Sequence, residues 1–215
     1  MELLHTILQN FNTNKLIKIA IDGYAAVGKT SVEEAIANQY GYQFIDSGLF
    51  YRYVSYYHNN YSIDQIKQIF DEEQILKLIN SIKHLNKEQY QESGIRAAQI
   101  SANNELRDII NETIRKIVKS KGFVVIGYDI TTLCLPDAEV KIILSADVET
   151  RVARRAFQTN LKDYINIFNN ILERDVISQS LIKQAYNVSY EIDTTKLTLS
   201  EVVDMILIQV FKKIL

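Results

Sequence analysis

Apolar residues follow two alternating rhythms along this chain. Short runs at residues 16–22, 43–45, 123–126, 140–144 and 190–193 predict strands, those at 16–22, 123–126 and 140–144 mostly apolar, as for strands buried on both faces. Between them, apolar positions recur at helical spacing. Leu106, Ile109, Ile110, Ile114, Ile117 and Val118 mark one such helix, ended by Gly122. Others are predicted over residues 29–40, 48–58, 161–183 and 198–214, with a basic helix starting near Val148. Ser62 suits the cap of a helix carrying Ile63, Ile66, Ile69 and Phe70, and Ile75, Leu78, Ile79 and Ile82 continue the period. A short leading helix over residues 2–11 would put Leu3, Leu4, Ile7 and Leu8 on one side. Residues 85–99 are polar and match no period; they are expected to belong to an insertion of undefined structure. Strands alternating with helices predict an α/β fold, a parallel sheet with helices on both faces.

The 215 residues suit one such domain with a small insertion. With 47% hydrophobic and 23% charged residues a packed core is expected, and 24 basic against 26 acidic residues leave no polycation for nucleic acid or an anionic membrane. The one cysteine, Cys134, lies in an apolar stretch and is expected to be a buried, inert thiol. A disulfide framework is excluded, and a reducing, cytoplasmic compartment is expected. No run of 18 apolar residues predicts a membrane span, and the first residues do not read as a signal peptide. His5, His58 and His84 lie in unrelated segments without metal-ligand spacing.

The sharpest feature is Gly23-Tyr24-Ala25-Ala26-Val27-Gly28-Lys29-Thr30, which fits G-x-x-x-x-G-K-[ST] between a buried strand and a helix. Glycines let backbone N–H groups turn toward phosphate oxygens, and the helix N-terminus adds partial positive charge. In this reading all eight residues bind ATP, Lys29 reaches its β- and γ-phosphates, and the Thr30 hydroxyl ligates Mg²⁺.

Further segments extend the match. Ile19-Ala20-Ile21-Asp22-Gly23 leads into the loop, and Asp46-Ser47-Gly48-Leu49-Phe50-Tyr51-Arg52 follows it. Later come Asn104-Glu105-Leu106-Arg107, Gly127-Tyr128-Asp129-Ile130-Thr131-Thr132, Pro136-Asp137-Ala138-Glu139-Val140-Lys141-Ile142, Glu173-Arg174-Asp175 and Ile192-Asp193-Thr194-Thr195. In this order and spacing, over residues 17–210, they resemble bacterial cytidylate kinases. The resemblance implies a P-loop nucleoside monophosphate kinase fold that phosphorylates CMP or dCMP with ATP and Mg²⁺. It implies a core of about residues 15–61, 100–147 and 185–215, a monophosphate-binding insertion at 62–99 and a lid at 148–184. Arg52 would hold the acceptor's phosphate, Arg107 and Asp129 would read the cytosine edge, and Arg174 would contact the acceptor phosphate or the transferred group. Arg151, Arg154 and Arg155 would be lid arginines neutralising the transition state. Asp46 would either act on the acceptor side or cap the helix it precedes, and Asp22 is expected to be structural. Small nucleotides are the expected partners, with no obligate protein partner.

Five positions depart from the family pattern, among them Thr131, which stands where the family carries a glycine. Tyr128 stands where the family carries arginine, Ser178 where an aspartate serves sugar recognition, Leu181 where an arginine binds phosphate, and Ala98 where a serine is found. Lys183 offers one substitute charge, without a guanidinium's fork. Two other readings therefore remain: a kinase for another monophosphate, and a nucleotide-binding relative with impaired turnover.

Overall fold

A computed structural model describes residues 17–214 except 59, 71–74, 76, 78–80, 121 and 161. The helix predicted over residues 2–11, together with Leu78 and Ile79, lies outside the described residues. In chain order come β1 (Ile19–Gly23), α1 (Lys29–Tyr40), β2 (Gln43–Asp46), α2 (Ser47–Tyr57), α3 (Ile63–Ile69) and a 3-10 turn at Ile82–His84. These are followed by α4 (Lys87–Ile100), α5 (Asn104–Ile117), β3 (Phe123–Gly127), a π-helical turn at Ile130–Cys134 and β4 (Val140–Ser145). The chain finishes with α6 (Val148–Thr159), α7 (Tyr164–Tyr186), β5 (Tyr190–Asp193) and α8 (Leu199–Ile214).

The five strands pair in parallel in the order β2-β3-β1-β4-β5. β1 lies in the middle, so both its faces must be apolar, and Ile19, Ala20 and Ile21 are fully buried. Alternation along the strands divides the core in two. Ala20, Ile45 and Val125 face Phe50 of α2 and Ile110 and Ile114 of α5. Ile19, Ile21, Val124, Ile142 and Leu144 face Val32 and Ile36 of α1 and Ile206 and Val210 of α8. From β1 the chain runs outward to β2, returns through β3, then crosses to β4 on β1's other side. That reversal opens a crevice at the carboxyl ends of β1, β3 and β4, where open α/β sheets bind ligands. Asp22 is in register with Gly127, which sets the loops after β1 and β3 side by side.

The structure corrects the reading of residues 85–99, since all but Leu85 and the cap residue Asn86 lie in helix α4. Asn86 and Gln89 make a reciprocal capping box, at 2.9 and 3.1 Å, and so start the helix. Its inward side carries Tyr90, Ser93, Gly94 and Ala97, with Ser93 fully buried. Such small residues let α4 lie close against α2 but contribute almost nothing to an apolar period. Ser62 caps α3 with the same kind of box. The apolar positions Ile66, Ile75, Ile82 and Ala97 of the expected insertion share one cluster with α2 and α5. Helices α6 and α7 have a small core of their own, Val152, Ala156, Ile167 and Ile171. Among the described residues no helix is long and apolar enough to cross a membrane. Cys134 is fully buried, which raises its thiol pKa, as expected for an inert residue.

The fold makes a stability prediction. Ile110 has no exposed surface, whereas Phe157 is 90% exposed. Ile110→Ala should cost about 2–5 kcal/mol in urea unfolding, while Phe157→Ala should move it by less than about 0.5 kcal/mol.

Candidate active site

The loop from Gly23 to Gly28 turns the chain from β1 into α1. Gly23 has φ 154°, and a Cβ there would lie 2.5 Å from the Leu144 carbonyl oxygen, so no side chain fits. Gly28 caps α1 in a left-handed conformation, φ 103°, with no side-chain acceptor for the helix's first N–H groups. Those donors remain available to an anion. Lys29 donates to the carbonyl oxygens of Gly23 and, at 2.9 Å, Tyr24, and its Nζ sits 4.7 Å from the centre of the Tyr128 ring. Burial lowers its pKa. Thr30, next in the chain, is exposed.

Asp22 is fully buried directly before this loop. Its carboxylate accepts from the Ile130 and Thr131 amides, both at 2.9 Å, and from the Thr131 hydroxyl at 2.6 Å. It thereby ties the turn after β3 to the end of β1, the structural role expected of it. Burial raises its pKa to about 6 against the opposing effect of those three hydrogen bonds.

Opposite the loop lies a cavity, partly open to solvent, with walls from α2, α4, α5, α7 and the turn after β3. One end is cationic. Arg52 donates to the Tyr90 carbonyl and, at 3.1 Å, to the Ser93 hydroxyl, and lies 4.1 Å over the Tyr90 ring. Gly94 makes room for it, since a Cβ there would lie 2.6 Å from Arg52 Nη1. Arg174 donates to the Tyr128 hydroxyl at 3.1 Å. Arg155 reaches the same region: burial, then the charges of Arg174 and Arg52, push its pKa down to about 10. Burial raises the Tyr128 phenol's pKa, but the cations Arg174, Lys29 and Arg155 outweigh it and hold the pKa below the ordinary value. Lys29, Arg52, Arg155 and Arg174 thus converge on one phenol.

The other end holds a buried ion pair. Arg107 donates to Asp129 Oδ2 at 3.0 Å and to the Ser101 carbonyl, and Asn111 donates to the same carboxylate oxygen at 3.1 Å. Both members of the pair line the cavity, with the Tyr51 ring beside them.

Arg52, Arg107, Asp129 and Arg174 line one cavity, with Lys29 4.7 Å from the centre of the Tyr128 ring in its wall and Arg155 within electrostatic reach of that ring. Two of the three arginines expected in the lid are engaged elsewhere. Arg151 pairs with Asp175 at 2.7 Å and donates to the Ala25 carbonyl at 3.4 Å, joining α6 to α7 and to the phosphate loop. Arg154 donates to the Thr194 hydroxyl at 2.9 Å, the Thr194 carbonyl at 2.7 Å and the Val27 carbonyl at 3.4 Å. Asp46 caps α2, accepting from the Gly48 amide at 2.8 Å. Lys183 is exposed and absent from the cavity wall, so it does not stand in for the missing guanidinium. The sequence assigns residues 62–99, and so most of α4, to acceptor binding but gives no site role to Tyr128 or Tyr90. The Asn86-x-x-Gln89 box was the available signal for α4, whereas nothing local marks where the Tyr128 ring lies.

A parallel sheet with a glycine-bounded phosphate loop facing a cationic pocket defines a P-loop kinase fold. Solved structures agree: shikimate kinase from Acinetobacter baumannii superposes with a TM-score of 0.52 over 92% of this chain and 94% of that one, at 18% identity. Shikimate kinase from Bacteroides thetaiotaomicron also gives 0.52, over 92% and 99%, at 12% identity. At such identities the likeness concerns the fold alone. The family model for cytidylate kinase matches residues 19–212. The cytidylate kinase of Fervidobacterium nodosum is 34% identical over 88% of this chain and 94% of its own. That of Mycoplasma capricolum is 31% identical over 89% and 94%. This chain belongs to the cytidylate kinase family.

Asp22 yields a pH prediction. Its folded pKa, about 6, lies above the ordinary 3.8, so the folded state binds the proton more tightly and this group's contribution to stability falls as pH rises. The difference in unfolding free energy between the wild-type protein and Asp22→Asn should therefore shrink from about pH 4 to about pH 6 and stay level above, read by urea titration at each pH.

Proposed function

We propose that this protein transfers the γ-phosphoryl group of ATP to CMP or dCMP, giving ADP and the corresponding diphosphate. One observation carries the reading: four cations converge at one end of a pocket beside the phosphate loop, and a buried Arg107–Asp129 pair lies at the other. A nucleoside monophosphate has matching ends, a dianionic phosphate and a base edge with both donors and acceptors. Family membership supports the same assignment.

In this mechanism the uncapped N–H groups of α1 and the loop amides receive the β- and γ-phosphates. Lys29 exchanges its bonds to the Gly23 and Tyr24 carbonyls for phosphate oxygens. Arg52 holds the acceptor phosphate, and Arg155 and Arg174 lie where charge develops on the transferred group. An oxygen of the ionised acceptor phosphate attacks in line, so no general base is required and positioning with charge neutralisation supplies the catalysis. Arg107 and Asp129 present a donor and an acceptor to the cytosine edge, with Asn111 and Ser101 keeping that pair in place. Arg151 and Arg154 act less directly, by docking α6 on the phosphate loop. Residues 62–99 form the acceptor-binding segment and residues 148–184 the lid.

Exposed Thr30 at the head of α1 fits a Mg²⁺ ligand, and among the described residues no cluster of three acidic, histidine or cysteine side chains offers an all-protein cage. This suits an ion held chiefly by water and substrate phosphates. When bound, Mg²⁺ supplies charge neutralisation across the β- and γ-phosphate oxygens.

A coupled ADP-release assay with CMP, dCMP, UMP and AMP tests the reading; preference for UMP or AMP would overturn the cytosine assignment. Lys29→Ala should reduce turnover by about 10³-fold or more while leaving urea unfolding cooperative. Gly94→Ala should push Arg52 aside, raising KM for the acceptor about 10- to 100-fold and leaving ATP affinity, read by calorimetry, unchanged.

A further inference from the structure

Tyr128, a tyrosine in place of the family's arginine, meets two cations at once. Its hydroxyl accepts from Arg174 Nη2 at 3.1 Å, while Lys29 Nζ sits 4.7 Å from the centre of its ring. Lys29 opens α1 at the phosphate loop, and Arg174, on α7, lines the acceptor pocket. One side chain therefore joins the lysine assigned to ATP and an arginine assigned to the transferred group. Arg174 depends on this contact. The Tyr128 hydroxyl is the one hydrogen-bond acceptor its guanidinium has among the described residues, and its Nε is buried without a partner. Arg52 and Arg155 stand close enough to repel it. A guanidinium without a fixed acceptor would swing away from such neighbours, since its long side chain has the rotamer freedom to do so.

Tyr128 is itself fixed from both sides. Gly127, before it, ends β3 in register with Asp22. Asp129, after it, pairs with Arg107, and the Ile130 and Thr131 amides donate to Asp22. A phenol mounted this firmly can set the direction of a guanidinium, as supporting contacts do for reacting groups generally. It also leaves the charge whole: a phenol oxygen or a ring face attracts a cation without neutralising it, which a carboxylate would not do. An arginine here would offer Arg174 no acceptor and would add a further like charge.

Resting on the transfer reaction proposed above, we infer that Tyr128 is a positioning residue for phosphoryl transfer, its hydroxyl aiming Arg174 at the transferred group and its ring seating Lys29. The test measures kcat, and KM for ATP and for the acceptor, in Tyr128→Phe, Tyr128→Leu, Arg174→Ala and the double variant Tyr128→Phe/Arg174→Ala. Phenylalanine keeps the ring and loses only the oxygen. Tyr128→Phe should therefore lower kcat about tenfold or more, as loss of a hydrogen bond to a charged group implies, with KM for ATP unchanged. Tyr128→Leu removes the ring as well and should also raise KM for ATP about threefold or more. In the Arg174→Ala background Tyr128→Phe should have no further effect on kcat, because two residues acting through one contact are not additive. Urea unfolding checks that each variant folds; should Tyr128→Leu not, the near-isosteric Tyr128→Phe and the double variant decide. A Tyr128→Phe protein that is less stable but keeps the wild-type kcat overturns the inference, as does an equal loss of kcat in the wild-type and Arg174→Ala backgrounds; either result leaves the kinase reading intact. No ADP release with any monophosphate, despite ATP binding, overturns the kinase reading and this inference with it.

Discussion

The crowding of partly buried cations around the Tyr128 phenol is the constraint on which the candidate site depends. Lys29, Arg52, Arg155 and Arg174 come from four different helices, yet they are held close enough for burial and neighbouring charge to depress the basicity of Arg155. A fold tolerates such a cluster only if packing elsewhere over-determines it. Here partners made of backbone carbonyls and a phenol hold three of the four: Lys29 on its own loop, Arg52 on Tyr90, Arg174 on Tyr128. Such dipoles position a cation without neutralising it, so the charge remains for an anionic ligand.

The supports behind this cluster are themselves polar and buried. Asp22 joins the loops after β1 and β3 through three hydrogen bonds, and Asp129 fixes Arg107 and Asn111 on α5. Removing one partner from either network would leave a desolvated group unpaired, a larger cost than the bond's net contribution. Arg151 with Asp175, and Arg154 with Thr194, tether α6 to the sheet and the phosphate loop in the same manner. Arginines that sequence alone places together as one lid thus divide into two that anchor and one, Arg155, within electrostatic reach of Tyr128, Arg174 and Arg52.

Much of this was legible from local pattern. Strand β1, the phosphate loop and α1 could be read together because a buried parallel strand, a glycine-bounded turn and a helix start each leave a strong local signature. The spaced motifs from Asp46 to Asp193 placed the family. Helix α4 was not legible by hydrophobic period, because its inner face is Ser93, Gly94 and Ala97, residues selected for small volume against α2 and Arg52. The place of Tyr128 was equally hidden, since a phenol beside an aspartate says nothing of the cations that four helices bring to it.

The sequence by itself determined the order of elements, the phosphate-binding turn and the kinship, because each depends on residues adjacent in the chain or on fixed spacings. Only the tertiary structure decided that Arg52 and Arg174 line the pocket while Arg151 and Arg154 anchor α6, and that Arg107 and Asp129 pair with each other. Those outcomes depend on contacts between helices far apart in sequence, where excluded volume and desolvation select among side chains that local pattern leaves equivalent.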